Sequence, residues 1–118
     1  MIGDGPRLIE SLSGPLHEAL QATLEAGEEI RIAVRSYPRE AVAVTNRRLL
    51  LVREGKPVQA LPLAALRKVR SEVQPGGGSL LWETEHPGLP NSVGFPPYDG
   101  AKFGQVAARI RRWSAEEE

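Results

Sequence analysis

Residues 29–36 alternate strictly, with Ile30, Ile32 and Val34 on one face and Arg31, Ala33 and Arg35 on the other, which is the period of a half-buried β-strand. The loop Ser36-Tyr37-Pro38-Arg39 and Glu40 returns the chain antiparallel into residues 41–45, where Val42 and Val44 alternate with alanines. Thr45 to Arg48 supplies a turn in which Asn46 tolerates positive φ, and Leu49, Leu50, Leu51 and Val52 follow without a polar interruption. Glu54-Gly55-Lys56 then turns the chain again, with Gly55 suited to the left-handed position, into a strand over 58–63. Setting Val34 opposite Val42 puts Ile32 opposite Val44, and the tight turn at Asn46-Arg47 brings Val44 to Leu49 and Val42 to Leu51. The inner face is then Ile32, Val34, Val42, Val44, Leu49, Leu51 and Leu61, and the outer face Ala41, Ala43, Leu50, Val52, Val58 and Ala60. Because side chains alternate with a period of two, one core cannot use both faces, and the outer one is too apolar for water.

A single turn is expected at residues 63–66, followed by an alternating strand with Val69, Ser71 and Val73 inward. Pro75-Gly76-Gly77-Gly78 reads as a flexible loop into residues 79–85, where Leu80, Trp82 and Thr84 face inward. Placing Gln74 opposite Ser79 sets Arg70 across from Glu83 and Lys68 across from Glu85. A Pro and Gly loop over 86–91 precedes a short last strand at 92–95. Phe103, Val106, Ala107, Ile110 and Trp113 then recur at helical spacing, predicting a closing helix over 100–113 that Asp99 or a neighbour caps. Glu116, Glu117 and Glu118 should fray, since acids at a helix C-terminus oppose its dipole.

Upstream, Ser13 as cap, Pro15 in the first turn and Gly27 as terminator frame a helix whose stripe is Leu16, Ala19, Leu20, Thr23 and Leu24. Leu8, Ile9 and Leu12 fit a separate helical turn that extends the stripe, and Met1 to Pro6 should fray. The leucine stripe is the obvious cover for the outer face, folded back on its own chain or donated to a neighbour. The fold class is mainly β (α+β): about seven antiparallel strands in two nearly orthogonal sheets, closed by a C-terminal helix, with an additional N-terminal helix. Residues 1–27 form the helical segment and 28–118 the β domain, one compact unit overall.

Val44-Thr45-x-x-Arg48-Leu49-Leu50, Leu61-Pro62-Leu63-x-x-Leu66-x-x-Val69 and a closing helix after an aromatic together resemble the bacterial pleckstrin-homology-like (PH-like) domains, close to the YokE and GRAM types. The likeness runs over roughly residues 28–113. It implies a roll closed by a helix and a non-enzymatic binding role. In PH-like domains of the eukaryotic type the loops after strands one and three bind phosphoinositide headgroups, which directs attention to Arg35, Arg39, Arg53 and Lys56 as an anionic ligand site. This chain lacks the Lys-x-n-Arg-x-Arg cluster of that pattern, and Glu40 and Glu54 dilute the charge.

Composition narrows the chemistry. The 118 residues suffice for one domain, and with no cysteine, thiolate catalysis, zinc-thiolate sites and disulfide scaffolds are excluded. Net charge is zero, which argues against nucleic acid as partner. Residues 28–72 nonetheless carry ten basic against five acidic side chains, so the strand-rich segment is the basic one. His17 and His86 are far apart in sequence, aspartate occurs only at Asp4 and Asp99, and no Gly-x-Ser-x-Gly elbow is present. No catalytic residue, metal ligand or cofactor is therefore expected. Pro96-Pro97-Tyr98 reads as a rigid turn into the last helix, and Trp82 and Trp113 as core.

The expected function is an interaction module for protein or peptide partners that also self-associates, with a peripheral anionic-lipid binder as the alternative. Its expected interface residues are Leu16, Leu20, Leu24, Leu50, Val52 and Val58. Apolar runs of four or five residues are too short to span a bilayer, and no signal peptide is evident, so the expected location is cytoplasmic, with the membrane surface as a peripheral alternative.

Overall fold

The computed structural model describes residues 8–85 and 88–117, with side chains up to Ser114. Strands β1 (Ile30–Arg35), β2 (Glu40–Thr45), β3 (Arg48–Arg53) and β4 (Gln59–Pro62) form one antiparallel sheet in chain order, and β5 (Arg67–Gln74), β6 (Gly77–Glu83) and β7 (Ser92–Phe95) form a second. Helix α1 (Gly14–Thr23) precedes the sheets and helix α2 (Gly100–Glu117) follows them. Short 3-10 turns at Leu63–Ala65 and Pro97–Asp99 link β4 to β5 and lead into α2.

The first sheet has the register that patterning predicts: Val34 opposes Val42, Ile32 opposes Val44, Val42 opposes Leu51 and Val44 opposes Leu49. Its inner residues pack with Leu80, Trp82 and Phe95 of the second sheet and with Phe103, Val106, Ala107 and Ile110 of α2. Phe95 and Phe103 stack in parallel with ring centroids 4.3 Å apart. The outer face forms a second core, in which Leu16 and Leu20 of α1 are buried against Ala41, Ala43, Leu50 and Val52. Leu12, Leu24, Val58 and Ala60 border it, half buried. The uninterrupted apolar run of β3 thus serves two cores, one on each side of the sheet.

Several local expectations need correction. The β5–β6 hairpin is tighter by two residues than expected: Gln74 opposes Gly77 and Glu72 opposes Ser79, so Arg70 faces Leu81 rather than Glu83. Gly78 opposes Phe95 of β7, and a Cβ there would sit 2.2 Å from the Phe95 ring, a clash that glycine avoids. Gly77 and Gly78 are therefore strand residues and the turn is Pro75-Gly76. Lys68, at φ 53°, forms a bulge between Arg67 and Arg70, and its ammonium lies 3.8 Å from Glu83, not Glu85. Val73, expected inward, is 51% exposed beside Gly100.

At the other end, Leu8 to Glu10 do not form a helical turn. Ile9 bridges Ala33 in parallel: the Ala33 N–H donates to the Leu8 carbonyl at 2.8 Å and the Glu10 N–H to the Ala33 carbonyl at 2.7 Å. The edge of β1 offers these unpaired groups, and pairing them outweighs a helical turn too short to nucleate. Helix α1 stops at Thr23 rather than near Gly27, and the Ser13 hydroxyl makes no capping bond although its residue holds the cap position. Gly27, at φ 81°, instead turns the chain into β1. Asn46 does not take positive φ; its side chain does the work, the Oδ1 accepting the Glu29 N–H at 2.8 Å. Helix α2 continues through Glu116 and Glu117, beyond the expected end at Trp113. Met1 to Pro6, His86 and Glu118 lie outside the described residues.

Candidate functional site

Two polar constellations stand out, one at each end of the first sheet. At the first, the Thr45-x-x-Arg48 turn is wired to the end of α1. The Thr45 hydroxyl accepts the N–H groups of Arg47 (3.0 Å) and Arg48 (2.9 Å) and donates to Glu28 Oε2 at 2.6 Å. Glu28 also receives Arg48 Nε at 2.8 Å and Nη2 on its other oxygen, a two-pronged pairing, while Nη2 reaches the Thr23 carbonyl at 2.9 Å. The Glu28 side chain is 0% exposed. The Arg48 guanidinium, assisted by the Thr45 hydroxyl and the Glu25 N–H, outweighs burial and holds its carboxyl at about 2, down from 4.5. The Glu28 carboxylate and the Arg48 Nε and Nη2 groups are all engaged within the chain, so this constellation fastens α1 to the turn.

The second lies where the β1–β2 loop meets the start of α2. Lys102 donates to Glu10 Oε2 at 3.2 Å and to the Arg35 carbonyl at 3.0 Å, and lies 3.6 Å from Asp99. Glu10 Oε1 accepts the Arg35 N–H at 2.8 Å and stands 4.0 Å from the Arg35 guanidinium. These groups, with Ser36, Tyr37, Pro38 and Tyr98, line a cleft of about 440 Å³. Of the six aromatic residues in the chain, Trp82, Phe95 and Phe103 are core and Trp113 is half-buried under Arg31, whereas Tyr37 and Tyr98 are exposed by 41% and 85% and share this cleft. Both rings sit on stiff supports. Tyr37 leans on the backbone of Gly94, where an added Cβ would lie 3.6 Å from the ring, and Tyr98 rides on a 3-10 turn begun by Pro97.

The structure brings the two basic loops together, as the Glu54 N–H donates to the Arg39 carbonyl at 3.1 Å. It does not leave their charge concentrated: Arg53 stands 3.9 Å from Glu40, and Arg35 turns toward Glu10 in the tyrosine cleft. Arg39 and Lys56 remain exposed at the rim. Leu16, Leu20, Leu50 and Val52 are buried against one another within one chain, and Leu24 and Val58 flank them. Among the described residues, no three His, Cys, Asp or Glu side chains cluster in a way that would hold a metal ion, and no helix is long and apolar enough to cross a membrane. Sequence patterning passed over the tyrosine cleft because neither ring belongs to a periodic stripe; the available signal was two tyrosines adjoining prolines in loops, away from every apolar face.

The roll of two sheets closed by α2 has counterparts among solved structures. The chain resembles a DUF1696-family protein with a pleckstrin-homology domain from Shewanella loihica PV-4, at a TM-score of 0.61 and 22% identity over 89% of this chain and 99% of the other. It also resembles a pleckstrin-homology domain from Shewanella amazonensis SB2B, at a TM-score of 0.63 and 19% identity over 88% and 91% of the two chains. The fold is PH-like. In sequence, no protein-family model matches the chain, and a search of curated proteins finds no match.

Proposed function

We propose that the protein is a non-enzymatic interaction module of the bacterial PH-like kind, near the YokE and GRAM types, that binds a protein or peptide partner at the Tyr37–Tyr98 cleft. The observation that carries this reading is the placement of both exposed aromatic rings of the chain at one cleft, Tyr37 in the β1–β2 loop and Tyr98 in the 3-10 turn that leads into α2. Tyrosine gives large contact area at small entropic cost and is enriched at the centres of protein interfaces. The fold itself, as in the two pleckstrin-homology structures, is consistent with a binding role. Self-association through the outer apolar face loses its motive, since α1 already covers that face from within the chain. Selection of displayed random peptides on the full chain tests the proposal. Enriched peptides should bind wild type and fall at least about tenfold in affinity on Tyr98→Ala. A selection that yields no Tyr98-dependent peptide refutes it.

A further inference from the structure

We infer that the partner segment at this cleft is an extended, proline-containing peptide in the polyproline II conformation, an inference that rests on the proposed peptide-binding role. The charges of the cleft argue against an ionic ligand. Glu10 and Asp99 balance Arg35 and Lys102, and the Lys102 ammonium is already surrounded by two carboxylates and the Arg35 carbonyl. An anion would have to enter beside Glu10 and Asp99, and a cation would have to displace Lys102. Beside these mutually balanced polar groups the cleft presents the exposed parts of the Tyr37 and Tyr98 rings, with Pro38 also in its lining.

A polyproline II segment matches that surface in three ways. Its pyrrolidine rings stack on aromatic faces without needing charge. Its backbone makes no internal hydrogen bonds, so its carbonyls are free to accept from the tyrosine hydroxyls and from Arg35, whose side chain is 58% exposed. It is also ordered before binding, so a shallow cleft suffices to hold it. Pairing by strand addition is ruled out at the adjoining edge of β1. There the Ala33 N–H and carbonyl are taken by Leu8 and Glu10, the Arg35 N–H by the Glu10 carboxylate and the Arg35 carbonyl by Lys102.

Fluorescence anisotropy of the full chain with fluorescein-labelled decaproline, against a Gly-Ser peptide of equal length, tests the inference. Decaproline should bind saturably and the Gly-Ser peptide should not. Tyr98→Ala should weaken decaproline binding at least about tenfold with an unchanged melting temperature, and Tyr98→Phe, which keeps the ring, should stay within about threefold. Failure of decaproline to saturate, or equal binding by Tyr98→Ala, overturns it. If displayed peptides without proline bind through Tyr98 while decaproline does not, this inference falls and the proposed function stands. If neither binds, both fall.

Discussion

Arg48 and Lys102 are each held by acids and a backbone carbonyl, and they serve opposite ends. Arg48 is gripped by Glu28 and the Thr23 carbonyl; Lys102 by Glu10, Asp99 and the Arg35 carbonyl. The Arg48 site excludes water from its carboxylate, whereas the carboxylates around Lys102 remain partly exposed. The first joins a helix to a sheet. The second holds the N-terminal segment, the β1–β2 loop and α2 together while leaving two aromatic rings outside. Similar wiring thus becomes a structural staple where it is sealed, and the frame of an open cleft where two exposed tyrosine rings stand beside it.

The largest test of the sealed side removes what it fastens. A chain beginning at Glu28 loses Leu16 and Leu20, both essentially inaccessible to solvent, and uncovers Leu50, Val52, Ala41 and Ala43. Burial of a leucine contributes on the order of 1.5–3 kcal/mol, so the loss amounts to much of a domain's net stability. We expect the truncated chain to aggregate or melt far below the full one, and the full chain to unfold in a single transition as one unit. Equal stability and solubility of the two would show that α1 is an independent appendage.

A smaller effect is expected from the staple's own charge. The folded-state pKa of Glu28, about 2, lies below its ordinary value of 4.5. Its stabilisation, on the order of 3 kcal/mol, is therefore fully present above about pH 5 and is lost as the pH falls toward the folded value. Glu28→Gln should be less stable than wild type at neutral pH, and the gap should close on acidification. Urea denaturation at stepped pH measures this, and a gap that stays constant from neutral to acid pH assigns the role to shape rather than charge.

Patterning resolves this molecule unevenly, for identifiable reasons. The inner and outer faces of β1 to β3 follow from a period of two, because a slip of one residue would exchange the two cores. The β5–β6 register escapes the same reasoning, because a slip of two leaves every side chain on its own face. The strand-like path of Leu8 to Glu10 is equally hidden, since the spacing of Leu8, Ile9 and Leu12 fits a helix and only the edge of β1 supplies the competing partner. Of the residues lining the tyrosine cleft, the sequence singles out Arg35 and not the tyrosines, because neither ring belongs to a periodic stripe.

The smallest effects belong to the basic rim, and they sharpen the contrast with the tyrosine cleft. Arg35 and Arg53 each face a carboxylate at about the limit of an ion pair, 4.0 Å from Glu10 and 3.9 Å from Glu40, whereas Arg39 and Lys56 are exposed at the rim. Exposed pairs of this kind contribute about 0–1 kcal/mol, and attraction to an anionic surface decays over a screening length of about 8 Å at physiological salt. Replacing Arg35, Arg39, Arg53 and Lys56 together with alanine should therefore shift stability by no more than about 1 kcal/mol. We expect weak sedimentation with acidic vesicles at low salt, abolished by the quadruple change, and none at physiological ionic strength for either protein. Decaproline binding should survive salt in the wild type, because ring stacking is not screened. Vesicle binding that persists at physiological salt and vanishes in the quadruple variant would move the functional surface from the tyrosines to the rim.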